Sequence, residues 1–124
     1  MTARAHNDPA VLPRSPSSSH AVSVSAGLWT IHVGGQTADE GDLATQTLAA
    51  VRNVEIVLND TAAQLDHVVS WTVQVVGDQD LEPVHTALQT AWAGRGAPPA
   101  LTLARVAGLP HPASLVQISA IAVI

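Results

Sequence analysis

The chain's last ten residues restrict its fold more than any other stretch. In residues 115–124, Val116, Ile118, Ala120, Ala122 and Ile124 alternate with Leu115, Gln117, Ser119, Ile121 and Val123. A strand sends alternate side chains to opposite faces, so this one is apolar on both and needs cover on both. A chain of 124 residues makes one domain with one core. Its pattern holds only two helices, enough to cover one side of a small sheet. A symmetric copy of the chain is the economical cover for the other side, so the sequence predicts a homo-oligomer.

The rest of the chain supplies the other layers. Residues 1–18 carry Pro9, Pro13, Pro16 and the start of a serine run, and read as a flexible arm ahead of a domain spanning 19–124. A short alternating strand is expected over 20–24, a turn at Ala26-Gly27, and a strand over 28–33 with Trp29, Ile31 and Val33 on one face, ended by Gly34-Gly35. Asp42 is placed to cap a helix over 43–58 whose stripe is Leu43, Leu48, Val51, Val54 and Leu58. Residues 68–76 alternate cleanly, with Val69, Trp71, Val73 and Val75 sharing a face. Asp80 opens a second helix that tolerates Pro83 in its first turn and buries Leu81, Val84, Leu88 and Trp92. A strand over 100–106 and the final strand complete an α+β chain of order β-β-α-β-α-β-β.

Charge and residue types exclude several functions. Ten carboxylates face five arginines, Arg4, Arg14, Arg52, Arg95 and Arg105, scattered along a chain of net charge −5. Nucleic-acid binding depends on clustered cations that displace counterions, so no nucleic-acid partner is expected. Cysteine is absent, which removes disulfides, thiolate metal sites and cysteine nucleophiles together. The six histidines include no His-x-His pair, and no cysteine is present to assist them, so no metal is expected. No Gly-x-Ser-x-Gly elbow occurs, and Gly94-Arg95-Gly96 precedes a strand, where its amides cannot form a helix-start phosphate cradle. No apolar run approaches the roughly 18 residues of a membrane span. The first 19 residues lack a leader's apolar segment, so a cytoplasmic protein without cofactor is expected.

Several local motifs occur in a fixed order. Gly34-Gly35-Gln36 follows a strand, and Gly41-Asp42-Leu43-x-x-Gln46-Thr47 leads to Arg52-Asn53-Val54. Ala63-Gln64-Leu65-Asp66-His67-Val68-Val69 enters the middle strand, Pro98-Pro99-Ala100 enters another, and Leu115-Val116-Gln117-Ile118-Ser119-Ala120-Ile121-Ala122-Val123 ends the pattern. From about Ser17 to the C-terminus the chain resembles the RidA/YjgF family. The resemblance implies a chorismate-mutase-like fold, a mixed sheet with two helices packed on one face, and a homotrimer with three clefts between subunits.

Well-studied members of that family hydrolyse enamines and imines of 2-keto acids without a cofactor. An arginine after Pro-Ala grips the substrate carboxylate, and a glutamate on the last strand positions water. Here the arginine's position holds Leu101 and the glutamate's holds Ser119. Gly34 stands where a serine is frequent, Ser18 where a tyrosine is, and His85 where a helix asparagine is. Arg105 lies four residues beyond Leu101, ~13 Å along a strand, too far to replace the lost guanidinium, and is expected at the surface. The resemblance thus implies a cleft in which His85, Ser119 and His20 are the candidate catalytic groups. Ser18, Gly34, Leu101, Thr102 and Leu103 are the candidate substrate contacts. Two functions follow: a divergent hydrolase for a reactive imine or enamine in specialised metabolism, with weak action on 2-imino acids, or a non-catalytic trimer binding a small apolar ligand. Taken singly, His20 is read as a backbone-bonding side chain and His85 as part of an exposed helix face.

Overall fold

The computed structural model describes residues 4–13, 16, 17, 19–24 and 29–124. The elements are β1 (Arg4–Asn7), β2 (Ala21–Val24), β3 (Thr30–Thr37), α1 (Leu43–Asp60), a 3₁₀ turn (Leu65–His67), β4 (Val68–Val76), α2 (Glu82–Trp92), β5 (Ala100–Val106) and β6 (Val116–Val123). The main sheet has the order β3-β6-β4-β5, antiparallel except for the β4/β5 pair. This is the α+β arrangement expected, with one strand added at its start.

That extra strand lies within residues 1–18, read from the sequence as a flexible arm. β1 pairs antiparallel with β2, from Arg4↔Val24 to Asn7↔Ala21. Arg4 also reaches the main sheet, its guanidinium donating to the Val123 carbonyl at 2.6 Å and the His67 carbonyl at 3.3 Å. These bonds use backbone and one long polar side chain, so no apolar period announces them. The predicted turn at Ala26-Gly27 and the strand start at Leu28 lie outside the described residues.

Both helices form for the reasons their sequences state. The Asp42 carboxylate accepts from the Thr45 amide at 2.9 Å, satisfying an orphan donor of the first turn, and these bonds hold the Asp42 carboxyl below its usual pKa. α1 buries Leu43, Gln46, Thr47, Ala50, Val51, Val54 and Leu58. Leu48 departs from the expected stripe and is 41% exposed; the buried arc instead takes in Gln46, Thr47 and Ala50. In α2 Val84, Leu88 and Trp92 are buried as expected, but the N-cap position falls on Leu81, which is only partly buried, and not on Asp80, whose carboxylate accepts from the Glu82 amide at 3.1 Å.

Two bulges revise the facing of strands. Pairing between β4 and β6 shifts between Val68 and Ser70, so Val68, not Val69, joins Trp71, Val73 and Val75 in the core. An inserted residue unpairs the simple alternation on one strand. In β3 the register shifts between Val33 and Gln36, and the strand runs through Gly34-Gly35 to Thr37 instead of ending there. Trp29 lies ahead of β3 and is 67% exposed, whereas Val33 is buried as expected.

The polar residues in the helix motif hold the layers together. The buried Gln46 side chain donates to the Gly41 and Ala113 carbonyls and accepts from the Leu115 amide at 2.8 Å. Asn53 donates to the Thr37 carbonyl at 3.0 Å. Each ties α1 to the entrance of β6 or the end of β3, so these residues serve the fold.

His67 gives the structure a pH-sensitive joint. Its Nδ1 accepts from the Gln64 amide at 2.9 Å, which requires a bare ring nitrogen. Burial, then the nearby Arg4 guanidinium, lower its pKa from the usual value, against a smaller opposing effect of Asp66. A folded pKa below the unfolded one means the unfolded chain binds more protons under about pH 6.5. The stability this site contributes is therefore complete above that pH and is lost as pH falls through the lowered folded value. We expect the melting temperature of His67→Gln to fall less than wild type's between pH 8 and pH 5; parallel curves would remove His67 from the account.

Candidate functional site

The segment carrying the serine run lies along the start of β5. The Ser19 amide donates to the Pro99 carbonyl at 3.0 Å, and Ser19 makes a parallel bridge with Ala100. Its hydroxyl donates to the Pro98 carbonyl and meets His6 Nδ1 at 3.0 Å. This pinning delivers Ser17, only 2% exposed, to α2, where its Oγ lies 2.7 Å from His85 Nδ1. Sequence reasoning selected His85 and missed Ser17. The signal was only a serine run, and its contact spans 68 residues of sequence.

The sheet divides the other candidates. In the parallel β4/β5 register Trp71 aligns with Leu101 and Val73 with Leu103, so both leucines face the helix layer, half-buried against the core. Thr102 aligns with Thr72, which pairs across β4/β6 with Ser119. These three residues form a polar row on the opposite, open face. Ser119 there lines a shallow depression of about 210 Å³ with His32, Ser70, Thr72 and Ile121. One chain therefore does not bring His85, Leu101 and Leu103 together with Ser119 and Thr102.

The remaining candidates are placed as follows. His20 is exposed, its Nε2 at 2.7 Å from the Pro13 carbonyl and its amide on the Asp8 carboxylate. Gly34 is exposed, and a side chain there would meet nothing within 4 Å. Ser18 lies outside the described residues. Arg105 donates to the Gly77 and Gln79 carbonyls at 3.1 and 2.7 Å, which commits it to the β4–α2 loop and not to Leu101. Arg95 pairs with Glu55 and Asp66. No group of three or more metal-ligating side chains occurs among the described residues, and no helix among them is long and apolar enough to cross a membrane.

The two glycines of β3 differ in a way that can be tested. A Cβ on Gly35 would lie 2.4 Å from the Gln117 Cδ, in the side chain that bonds Gln74 across the open face at 3.1 Å. Gly34→Ser should change stability by no more than about 0.5 kcal/mol. Gly35→Ala should cost about 1–3 kcal/mol through overpacking. Urea denaturation of the two variants checks the order; equal losses would mean that Gln117 moves aside freely.

Comparisons with known proteins agree with this architecture. A family model described as Endoribonuclease L-PSP matches residues 15–124. No curated protein matches the chain significantly. Among solved structures, a Rid-family protein of unknown function, YyfB from Yersinia pestis, is 28% identical with a TM-score of 0.84, covering 98% of both chains. Rv2704 from Mycobacterium tuberculosis, described as a member of the YjgF/YER057c/UK114 family, is 30% identical with a TM-score of 0.69 over 86% of each. PA3499 from Pseudomonas aeruginosa, a protein of unknown function, is 29% identical with a TM-score of 0.72, covering 99% of this chain and 94% of its own.

Proposed function

The chain belongs to the Rid/YjgF family, the group described as Endoribonuclease L-PSP, and from this premise we propose that it acts on an uncharged imine or enamine in a cleft shared by two copies of a homotrimer. The observation that carries the proposal is the separation of the candidate groups by the sheet. His85, Leu101 and Leu103 lie on the helix side, Ser119 and Thr102 on the open side. A second copy seated on the open face can bring one chain's helix-side half against the other's Ser119. The same copy covers Ile121 and Val123, which stand half-buried on that face.

The chemistry of the helix-side half favours a neutral ligand. Leu101 stands where the resemblance places a carboxylate-gripping arginine, and Arg105 is held by loop carbonyls. A carboxylate desolvated against leucine without a cation is strongly disfavoured. Imine hydrolysis needs only acid–base groups: water adds to the imine carbon, the C=N electron pair and a proton pass to nitrogen, and the carbinolamine expels ammonia to leave the carbonyl. His85 is the group on the helix side suited to carry the proton. Ribonuclease action, which the family's description suggests, has little support: Arg4, Arg95 and Arg105 are all spent on structural contacts.

Light scattering at micromolar concentration tests the assembly. We expect the mass of three 12.8 kDa chains; a monodisperse monomer would leave Ser119 and His85 on opposite sides of one sheet and end the shared-cleft proposal.

A further inference from the structure

Ser17 and His85 form a pair for which the fold makes considerable provision. Ser17 is almost fully buried, its neighbour Ser19 is fastened to Pro98 and Pro99, and the 2.7 Å contact to His85 Nδ1 joins the N-terminal segment to α2. His85 itself is half-buried, and among the described residues no hydrogen bond is made by its Nε2. A serine hydroxyl either accepts from Nδ1–H or donates to a bare Nδ1, and which of the two it does decides which ring nitrogen is left bare. We propose that Ser17 is a positioning residue: its Oγ accepts from Nδ1–H, holding His85 in that tautomer with Nε2 bare as the cleft's proton acceptor. The inference rests on the shared-cleft function for its catalytic consequence, while the tautomer itself does not depend on it.

In the hydrolysis, bare Nε2 takes one proton from water as the oxygen bonds to the imine carbon, and the imidazolium passes it to nitrogen. Nε2 then takes the carbinolamine hydroxyl proton and passes it to the same nitrogen, which leaves as ammonia while the carbonyl forms. Water and imine are consumed, and carbonyl and ammonia are formed, with no other reactant. A histidine protonated at Nε2 instead has its remaining lone pair turned toward Ser17 and cannot take that proton.

Nitrogen-15 NMR of histidine-labelled protein above pH 8 reads the tautomer directly. Wild type and Ser17→Thr, which keeps the hydroxyl, should show Nδ1–H as the dominant form at His85. Ser17→Ala should turn toward the Nε2–H form. Wild type found in the Nε2–H form, or Ser17→Ala unchanged, overturns the proposal. With 2-iminopropanamide as the probe, Ser17→Ala should lower kcat about tenfold at little change in KM, and Ser17→Thr should restore it. A wild type with the expected tautomer but no hydrolysis of this probe overturns both the base role and the imine function, and leaves the lock in place.

Discussion

Trp71→Ala is expected to destabilise the protein by roughly 3–5 kcal/mol, as truncation of a buried aromatic does. Trp71 sits in the middle of β4, the central strand flanked by β5 and β6, and is 2% exposed. Its ring meets Trp92 of α2 edge to face, with centroids 5.5 Å apart at 74°, so the truncation removes a contact between the sheet and α2. Trp92 is also held by its indole nitrogen, which donates to the Ala97 carbonyl at 3.0 Å, and cannot follow the retreating side chain. The Trp71 indole nitrogen has no protein partner among the described residues although it is buried. Trp71→Phe therefore deletes an unsatisfied donor along with some packing and should cost about half as much or less. Urea denaturation at one fixed protein concentration measures both, since assembly makes apparent stability depend on concentration. A loss below about 1 kcal/mol for the alanine variant would contradict the burial on which the sheet's facing rests.

The largest functional effect should come from the double change Leu101→Arg with Ser119→Glu. Wild type should accelerate hydrolysis of 2-iminobutanoate little, because a leucine cannot hold its carboxylate. Restoring one charge-assisted hydrogen bond contributes about 1.5–3 kcal/mol, or roughly tenfold to a hundredfold, and the double variant should exceed wild type within that range. Leu101→Arg alone should lower KM more than it raises kcat, and Ser119→Glu alone should do little. In one chain the two positions face opposite sides of the sheet, so cooperation between them requires a neighbouring subunit. Additive single effects, measured as kcat/KM, would mean that the two side chains never share a site.

The strongest periodic segments were legible in the sequence because burial alone shapes them. β6 buries Val116, Ile118, Ala120 and Ala122 and leaves Gln117, Ser119, Ile121 and Val123 half-exposed, as strict alternation demands. Asp42 caps α1 and Leu88 and Trp92 anchor α2 because caps and stripes are local signals. What escaped is what period-counting cannot register. A bulge exchanged Val69 for Val68, a second carried β3 through Gly34-Gly35, and β1 is held by backbone pairing and Arg4. Leu48 looked buried because its type was apolar, yet its place on α1 lies outside the packed arc. The candidate site was legible as residue types only. Whether Leu101 and Ser119 share a face depends on pairing register across β4, and Ser17's part depends on a contact distant in sequence; neither is a property of a local window.

The neutral-substrate claim is tested most directly by comparing two imines that differ only in charge, 2-iminopropanoate and 2-iminopropanamide, generated in situ with the same concentration of wild-type protein. Their hydrolysis above the buffer rate, followed as ammonia release, should favour the amide by at least about tenfold, the factor that one unmatched charge contributes at a site without a cation. Hydrolysis of the carboxylate as fast as the amide, or faster, would show that the cleft holds a carboxylate despite Leu101 and would contradict the account.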